Sequence, residues 1–277
     1  MHLEVEQRRV YATNAEKPFD ASQRAVVFVH GAGMDQSAWA LQLRYFAYHG
    51  FNALAVTLPA HGPAAGQKSA SADSPLQSDG PPLATIGEIA DWLPKLFDAA
   101  GVEKANLVGH SMGALAALEC AARHPERVET LSLLGAAPKM PVHPALLEAA
   151  KNDDALAGEL VTAWGHGPAG QVGGNRAPGL WMKGNALQVL GRSGSQVLFT
   201  GLKACDDYAD GLESAARVRC PTLVLAGQAD RMTPAKAAAK LAEAIPEAAL
   251  VVLPDCGHMM MAEKPDETLD ALIAHIG

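Results

Sequence analysis

The sharpest chemical signal in the 277-residue chain is Gly109-His110-Ser111-Met112-Gly113. An apolar run, Ala105 to Val108, leads into it, and a strong helix former, Ala114 to Arg123, leads out. In that setting a G-x-S-x-G sequence predicts a strained strand-to-helix turn that exposes a serine hydroxyl, with small flanking residues relieving the crowding. A serine hydroxyl is a poor nucleophile at its own pKa, so Ser111 needs a histidine to take its proton and a carboxylate to orient that histidine. Both follow in chain order. Asp230 lies in Gly227-Gln228-Ala229-Asp230-Arg231-Met232-Thr233-Pro234, just beyond the apolar run Thr222 to Ala226. His258 lies in Asp255-Cys256-Gly257-His258, just beyond Ala249 to Leu253. Asp207 and Asp255 compete for the carboxylate role, but the first falls in a segment of different rhythm. The second is so near His258 along the chain that reaching its Nδ1 would contort the loop. Attack on a carbonyl also builds an oxyanion that preorganised backbone N–H groups must meet. Met112, directly after the nucleophile, supplies one; His30-Gly31-Ala32-Gly33 supplies the other, from Ala32 or alternatively Gly33.

These residues need a scaffold, and the chain alternates short apolar runs with longer helical patterns, as a mostly parallel sheet with crossover helices requires. Strands are expected at 26–29, 53–56, 105–108, 127–134, 222–226 and 249–253. Helices are expected at 39–49, 85–100 (with Pro94 discordant and Gly101 as its stop), 114–123, 234–245 and 265–276. Asp230 and His258 then sit at the C-terminal ends of strands, the edge at which open α/β sheets bind ligands. Residues 61–82, rich in Gly, Pro, Ser and Asp, read as a long exposed loop bordering the site. From about Ala137 to Arg217 no buried strand is evident. Helical stretches at 144–151, 155–164, 180–190 and 196–212 surround a Gly/Pro-studded loop at 165–179.

The segments HGAG, LPAHG, GHSMG, GQADRMTP and CGHMM, in this order and spacing, resemble the α/β-hydrolase superfamily from about Val10 to Ile276. The resemblance implies an α/β-hydrolase fold, a mostly parallel central sheet flanked by helices. It implies a core of 1–136 and 218–277 interrupted by a helical cap at 137–217. By the same resemblance Ser111 is the nucleophile, Asp230 the orienting acid, His258 the base, and Ala32 with Met112 the oxyanion donors. One departure stands out: relatives usually carry Gly where Ala60 stands in LPAHG, which leaves the shape of that turn open.

A serine nucleophile favours acyl transfer to water over the epoxide-hydrolase and haloalkane-dehalogenase branches, which use a carboxylate. The first expectation is a serine hydrolase cleaving a carboxylic ester of a small, largely apolar substrate through an acyl-enzyme. Carbon–carbon bond hydrolases of ring-fission products share the triad but tend to hold a substrate carboxylate with a cap cation; Arg176, Arg192 or Lys183 could serve. Aminopeptidase-type members would need cap carboxylates such as Glu148, Asp153, Asp154 and Glu159, which read better as a solvated face. Perhydrolase behaviour and a triad-bearing small-molecule receptor are the remaining alternatives. Trp164, Trp181, Met182 and Met259 are the candidate substrate-binding residues, with Leu187 and Phe199 beside them and Met260 and Met261 better read as core. Cys256, two residues from the base, is a candidate for sensitivity to thiol reagents.

Composition bounds the rest. Hydrophobic residues make up 49% and charged residues 19%, a balance that buries a core and excludes disordered and fibrous classes. With 22 Lys and Arg against 30 Asp and Glu the net charge is −8, and no basic patch exists to track a polyanion, so no nucleic-acid partner is expected. No window approaches about 18 consecutive apolar residues, so no membrane span is expected. The first residues lack the apolar core of an export signal. Four scattered cysteines without zinc-ligand spacing imply reduced, mostly buried thiols, a cytoplasmic location and no metal. No cofactor is implied, and the partner is a small-molecule substrate.

Overall fold

A computed structural model describes residues 1–20, 22–63, 77–171 and 181–277. Eight strands form one sheet: β1 (His2–Val5), β2 (Arg8–Thr13), β3 (Ala25–Val29), β4 (Asn52–Val56), β5 (Ala105–His110), β6 (Val128–Leu134), β7 (Thr222–Gly227) and β8 (Ala249–Leu253). Their order is β1-β2-β4-β3-β5-β6-β7-β8. β2 pairs antiparallel with β1 and β4, and every other pair is parallel. The β1–β2 hairpin goes beyond the sequence expectation. Its charged positions mask an alternation that turns Leu3, Val5, Val10 and Ala12 inward.

The inner strands are buried on both faces, as parallel strands covered by crossover helices must be. In β3, Val27 and Val29 join one cluster with Leu54 and Leu107, while Val26 and Phe28 join the opposite one with Trp39 and Phe46. Helix Met112–Arg123 is buried from Met112 through Ala121. Helix Ile86–Ala100 begins at Thr85, whose hydroxyl accepts the Glu88 N–H, and ends at left-handed Gly101 (φ 70°); Pro94 is accommodated within it. β8 departs from a buried strand: as the sheet edge it leaves Leu250 and Val252 exposed.

Between β6 and β7 the described chain is helical, at Pro144–Lys151, Ala155–Gly165, Pro168–Gln171, Met182–Gly191, Val197–Asp207 and Gly211–Arg217. The single helix expected at 196–212 is in fact two. Tyr208 leaves the helix with its hydroxyl 2.5 Å from the buried Glu119 carboxylate, and Gly211 passes so close to Pro138 that a Cβ would lie 2.1 Å from its carbonyl oxygen. A short helix, Pro168–Gln171, occupies part of the expected loop, and residues 172–179 of that loop lie outside the described residues. So do 64–76 of the expected 61–82 loop. Its far end is not exposed: buried Ser78 donates to the Thr57 carbonyl and accepts the Tyr11 N–H.

Candidate active site

Register sets the site. Val29 stands opposite Gly109 across the β3–β5 pair, so the turns following both strands emerge side by side. Leu134 pairs with Leu225 and Gly227 with Leu253, which brings the ends of β7 and β8 to the same edge. At the end of β5, Ser111 adopts φ 54° and ψ −117°, a left-handed conformation that a non-glycine residue holds only under constraint. Its flanks show the constraint. A Cβ on Gly109 would lie 2.3 Å from the Gly113 carbonyl oxygen, and one on Gly113 would lie 2.5 Å from that of Val29.

His258 is fully enclosed, and its Nδ1 donates to Asp230 Oδ2 at 2.8 Å. The other carboxylate oxygen, Oδ1, accepts the N–H groups of Met232 (2.8 Å) and Thr233 (2.9 Å), and the Thr233 hydroxyl adds a bond to Oδ2 at 2.6 Å. Burial alone would push Asp230 up. The charge and hydrogen bond of His258 and the bonds from Thr233 outweigh it and hold the carboxyl below its ordinary value. His258 Nε2 is buried without a hydrogen-bond partner among the described residues. Ser111 and His258 line one crevice of about 20 Å³ together with Ala32 and Met259. Among the described residues, no carbonyl accepts the N–H of Ala32 or Met112.

The four candidate substrate residues separate. Trp164 lines a cavity of about 120 Å³ that contains Ser111. Met259 lines the Ser111 crevice and also, with Met182, a neighbouring apolar chamber of about 350 Å³; Met34 likewise borders both spaces. Trp181 is 67% exposed, lies over Gly184 and lines none of these cavities, because it stands at the exposed start of its helix. Leu187 borders a separate surface pocket, and Phe199 packs against the core. Met260 and Met261 are buried core residues.

Of the expected cap cations, Arg192 is held by the buried Asp35 carboxylate at 2.6 and 2.9 Å, and Arg176 lies outside the described residues. Of the carboxylates expected in the insertion, three are turned to other partners: Asp153 to Ser195 and Gln196, Asp154 to the Leu156 N–H, Glu148 to Asn152. Cys256 does not fit a reactive thiol, since it is fully buried and burial pushes its pKa up. No group of three His, Cys, Asp or Glu among the described residues could hold a metal ion. No described helix is long and apolar enough to cross a membrane.

Three neighbours of the site went unassigned in the sequence. His110 lies with its ring 4.7 Å from that of His258, and its Nε2 donates to the His258 carbonyl at 3.0 Å. Thr233 braces the Asp230–His258 pair; its place just after the acid was visible, but there it reads as a helix start. Glu263 binds the backbone around His258 and also accepts the N–H of Gly167, 96 positions away. Nothing in the sequence marks that long-range closure.

The model of the Alpha/beta hydrolase family matches residues 26–271. The chain is 26% identical to an (E)-2-((N-methylformamido)methylene)succinate hydrolase of Acinetobacter baylyi, over 90% of this chain and 89% of that relative. It is 29% identical to a pimeloyl-[acyl-carrier protein] methyl ester esterase of Aromatoleum aromaticum, over 87% and 94% respectively. The enol-lactonase from Burkholderia xenovorans LB400 superposes with a TM-score of 0.85 at 21% identity, covering 100% of this chain and 99% of that one, a likeness of fold.

Proposed function

Since this chain belongs to the alpha/beta hydrolase family and is a hydrolase, we propose that it is a serine carboxylesterase acting on small, largely apolar esters. The observation that carries the reading is the Asp230–His258 bond of 2.8 Å, which leaves an unpartnered Nε2 in the same crevice as a strained Ser111. Ser111 Oγ attacks the ester carbonyl and gives its proton to Nε2. Asp230 fixes the ring with Nδ1 protonated and stabilises the imidazolium that forms. The Ala32 and Met112 N–H groups receive the oxyanion. The imidazolium then protonates the departing alcohol, and a water deprotonated by the same nitrogen attacks the acyl-enzyme, releasing the acid and restoring the serine.

In this reading the helical insertion at 137–217 is a cap over the core of 1–136 and 218–277, and it touches the base directly: the Gly165 carbonyl accepts the His258 N–H at 2.8 Å. The apolar walls of the two cavities, with Trp164, Met182 and Met259 among them, suit the hydrocarbon part of an acyl or alcohol chain. The free state of all four cysteines accords with a cytoplasmic location.

Release of p-nitrophenol from a short-chain ester by the intact protein, reduced at least about 10³-fold in Ser111→Ala, is the expected result. A folded protein that neither turns over such esters nor becomes labelled by a fluorophosphonate at Ser111 would sink the esterase reading and favour a triad-bearing receptor.

A further inference from the structure

The cavity of about 120 Å³ that holds Ser111 has one fixed charge in its described lining, Arg231. The rest of that wall is nearly all apolar, including Met140, Leu146, Trp164 and Leu202. Among the described residues no carboxylate pairs with the Arg231 guanidinium. Its sequence neighbour Asp230 is fully used by His258, Met232 and Thr233. Asp206, which follows the lining residue Cys205, is turned to the Val142 N–H at 2.9 Å. A cation standing at the exposed side of an apolar cavity, with the nucleophile in the same cavity, is a recognition element in search of an anion. The protein as a whole carries −8 and repels anions, so any preference for one has to be local.

We propose that Arg231 is a specificity-determining residue that binds a carboxylate on the substrate, so that the preferred esters carry a short acyl chain ending in a carboxylate. The inference rests on the acyl-transfer reading of Ser111. The cavity is also the smaller of the two apolar spaces near Ser111, about 120 Å³ against about 350 Å³, which favours a short, succinyl-like chain between the scissile carbonyl and the carboxylate. The planar guanidinium takes both carboxylate oxygens, while the apolar walls take the methylenes and disfavour an anion placed anywhere else.

The test compares p-nitrophenyl hemisuccinate with p-nitrophenyl butyrate in the wild type, Arg231→Met and Arg231→Lys. It also measures calorimetrically the binding of monoethyl succinate to Ser111→Ala with and without Arg231→Met. The expected result is a ratio of kcat/KM, hemisuccinate over butyrate, that falls about tenfold or more in Arg231→Met and recovers in part in Arg231→Lys, with a matching loss of monoethyl succinate affinity. If both esters are turned over and the ratio is unchanged in the folded variants, the proposal is overturned. If the wild type hydrolyses neither ester, the esterase reading fails instead, and calorimetry still decides. Binding that weakens with Arg231→Met supports the carboxylate site, and absent binding or binding indifferent to the substitution overturns it.

Discussion

Glu263 clasps the backbone on both sides of His258: Oε2 accepts the Gly257 N–H at 3.1 Å and Oε1 the Met259 N–H at 3.2 Å. The same Oε2 accepts the Gly167 N–H of the insertion at 2.8 Å, so one carboxylate ties the loop of His258, the proposed base, to the helical insertion. Removing it in Glu263→Ala leaves the Gly257 and Gly167 N–H groups without their acceptor, while the Met259 N–H keeps its bond to the Gly165 carbonyl at 3.1 Å, and we expect a stability loss of about 2–4 kcal/mol. Because small displacements of a general base cost up to about 10²-fold in rate, kcat on a short-chain ester should fall roughly 10- to 100-fold with KM little changed. Glu263→Gln, which keeps an acceptor oxygen, should lie between. A Glu263→Ala protein with lowered Tm but wild-type kcat would show that the clasp is structural only.

Acid should destabilise the protein well above the carboxylate range. Burial drives His61 down to about 4 and His110 down to about 3, the latter helped by the neighbouring His258, and it drives His30 well below its ordinary value with His61 adding to the effect. The unfolded chain takes up these protons near pH 6.5, while the folded protein refuses those of His61 and His110 until about pH 4 and 3 and that of His30 until well below its ordinary range. The unfolded state therefore binds more protons in between, and stability rises with pH there and falls on acidification. Each histidine contributes about 1.4 kcal/mol per pH unit, so the three together give a slope approaching about 4 kcal/mol per unit between roughly pH 6 and 4.5. Below that the depressed carboxyl groups of Asp230 and Glu119 add loss of the same sign. Urea unfolding at several pH values should show this slope, reduced by about a third in His110→Gln.

What the sequence discloses and what it hides follow from locality. Ser111, Asp230 and His258 each sit in a turn that directly follows a strand, so local turn chemistry and apolar runs suffice to place all three on one sheet edge. The partners that brace them are joined by the fold instead: His110 reaches His258 across 148 positions, and Glu263 meets Gly167 across 96. No periodicity encodes such closures. The β1–β2 hairpin stayed hidden because its outward residues are charged and its inward ones few, and the break at Tyr208 because its cause, Glu119, lies 89 positions away. Trp181 shows the opposite error. An aromatic residue near a pocket in sequence is not near it in space when it caps an exposed helix end.

Gly201 in helix Val197–Asp207 packs against the two expected oxyanion donors. A Cβ there would lie 2.8 Å from Ala32 Cβ and 2.9 Å from Met112 Sδ. The methionine tip can swing aside, but Ala32 Cβ moves only with its backbone, which carries the proposed donor. Gly201→Val should therefore cut kcat by about tenfold or more, the scale of a compromised oxyanion contact, while leaving the fold assembled. Gly158, also helical, is the control: its added Cβ meets only Leu187 Cδ2 at 3.7 Å, so Gly158→Ala should keep full activity and gain about 0.5–1 kcal/mol. Equal effects of the two substitutions on kcat would refute the oxyanion-loop explanation.

Ala60 is the one place where the chain departs from the glycine its resemblance leads one to expect, and the structure shows what that departure costs. Its φ of 67° lies in the left-handed region, where a Cβ is crowded by its own backbone, and the turn is fixed there because the Ala60 N–H donates to the Ser78 carbonyl at 3.0 Å. Ser78 in turn anchors to Thr57 and Tyr11, so the turn cannot relax without loosening β2 and β4. Relief of this strain exceeds the extra freedom glycine gives the unfolded chain, and Ala60→Gly should stabilise the protein by about 0.5–1 kcal/mol. For a chain of this size that raises Tm by roughly 1–3 °C. Ala60→Val, with a branched side chain at the same φ, should lower it by at least as much. Thermal melts of the two variants that move in the same direction would show that backbone strain at this turn is not what limits stability.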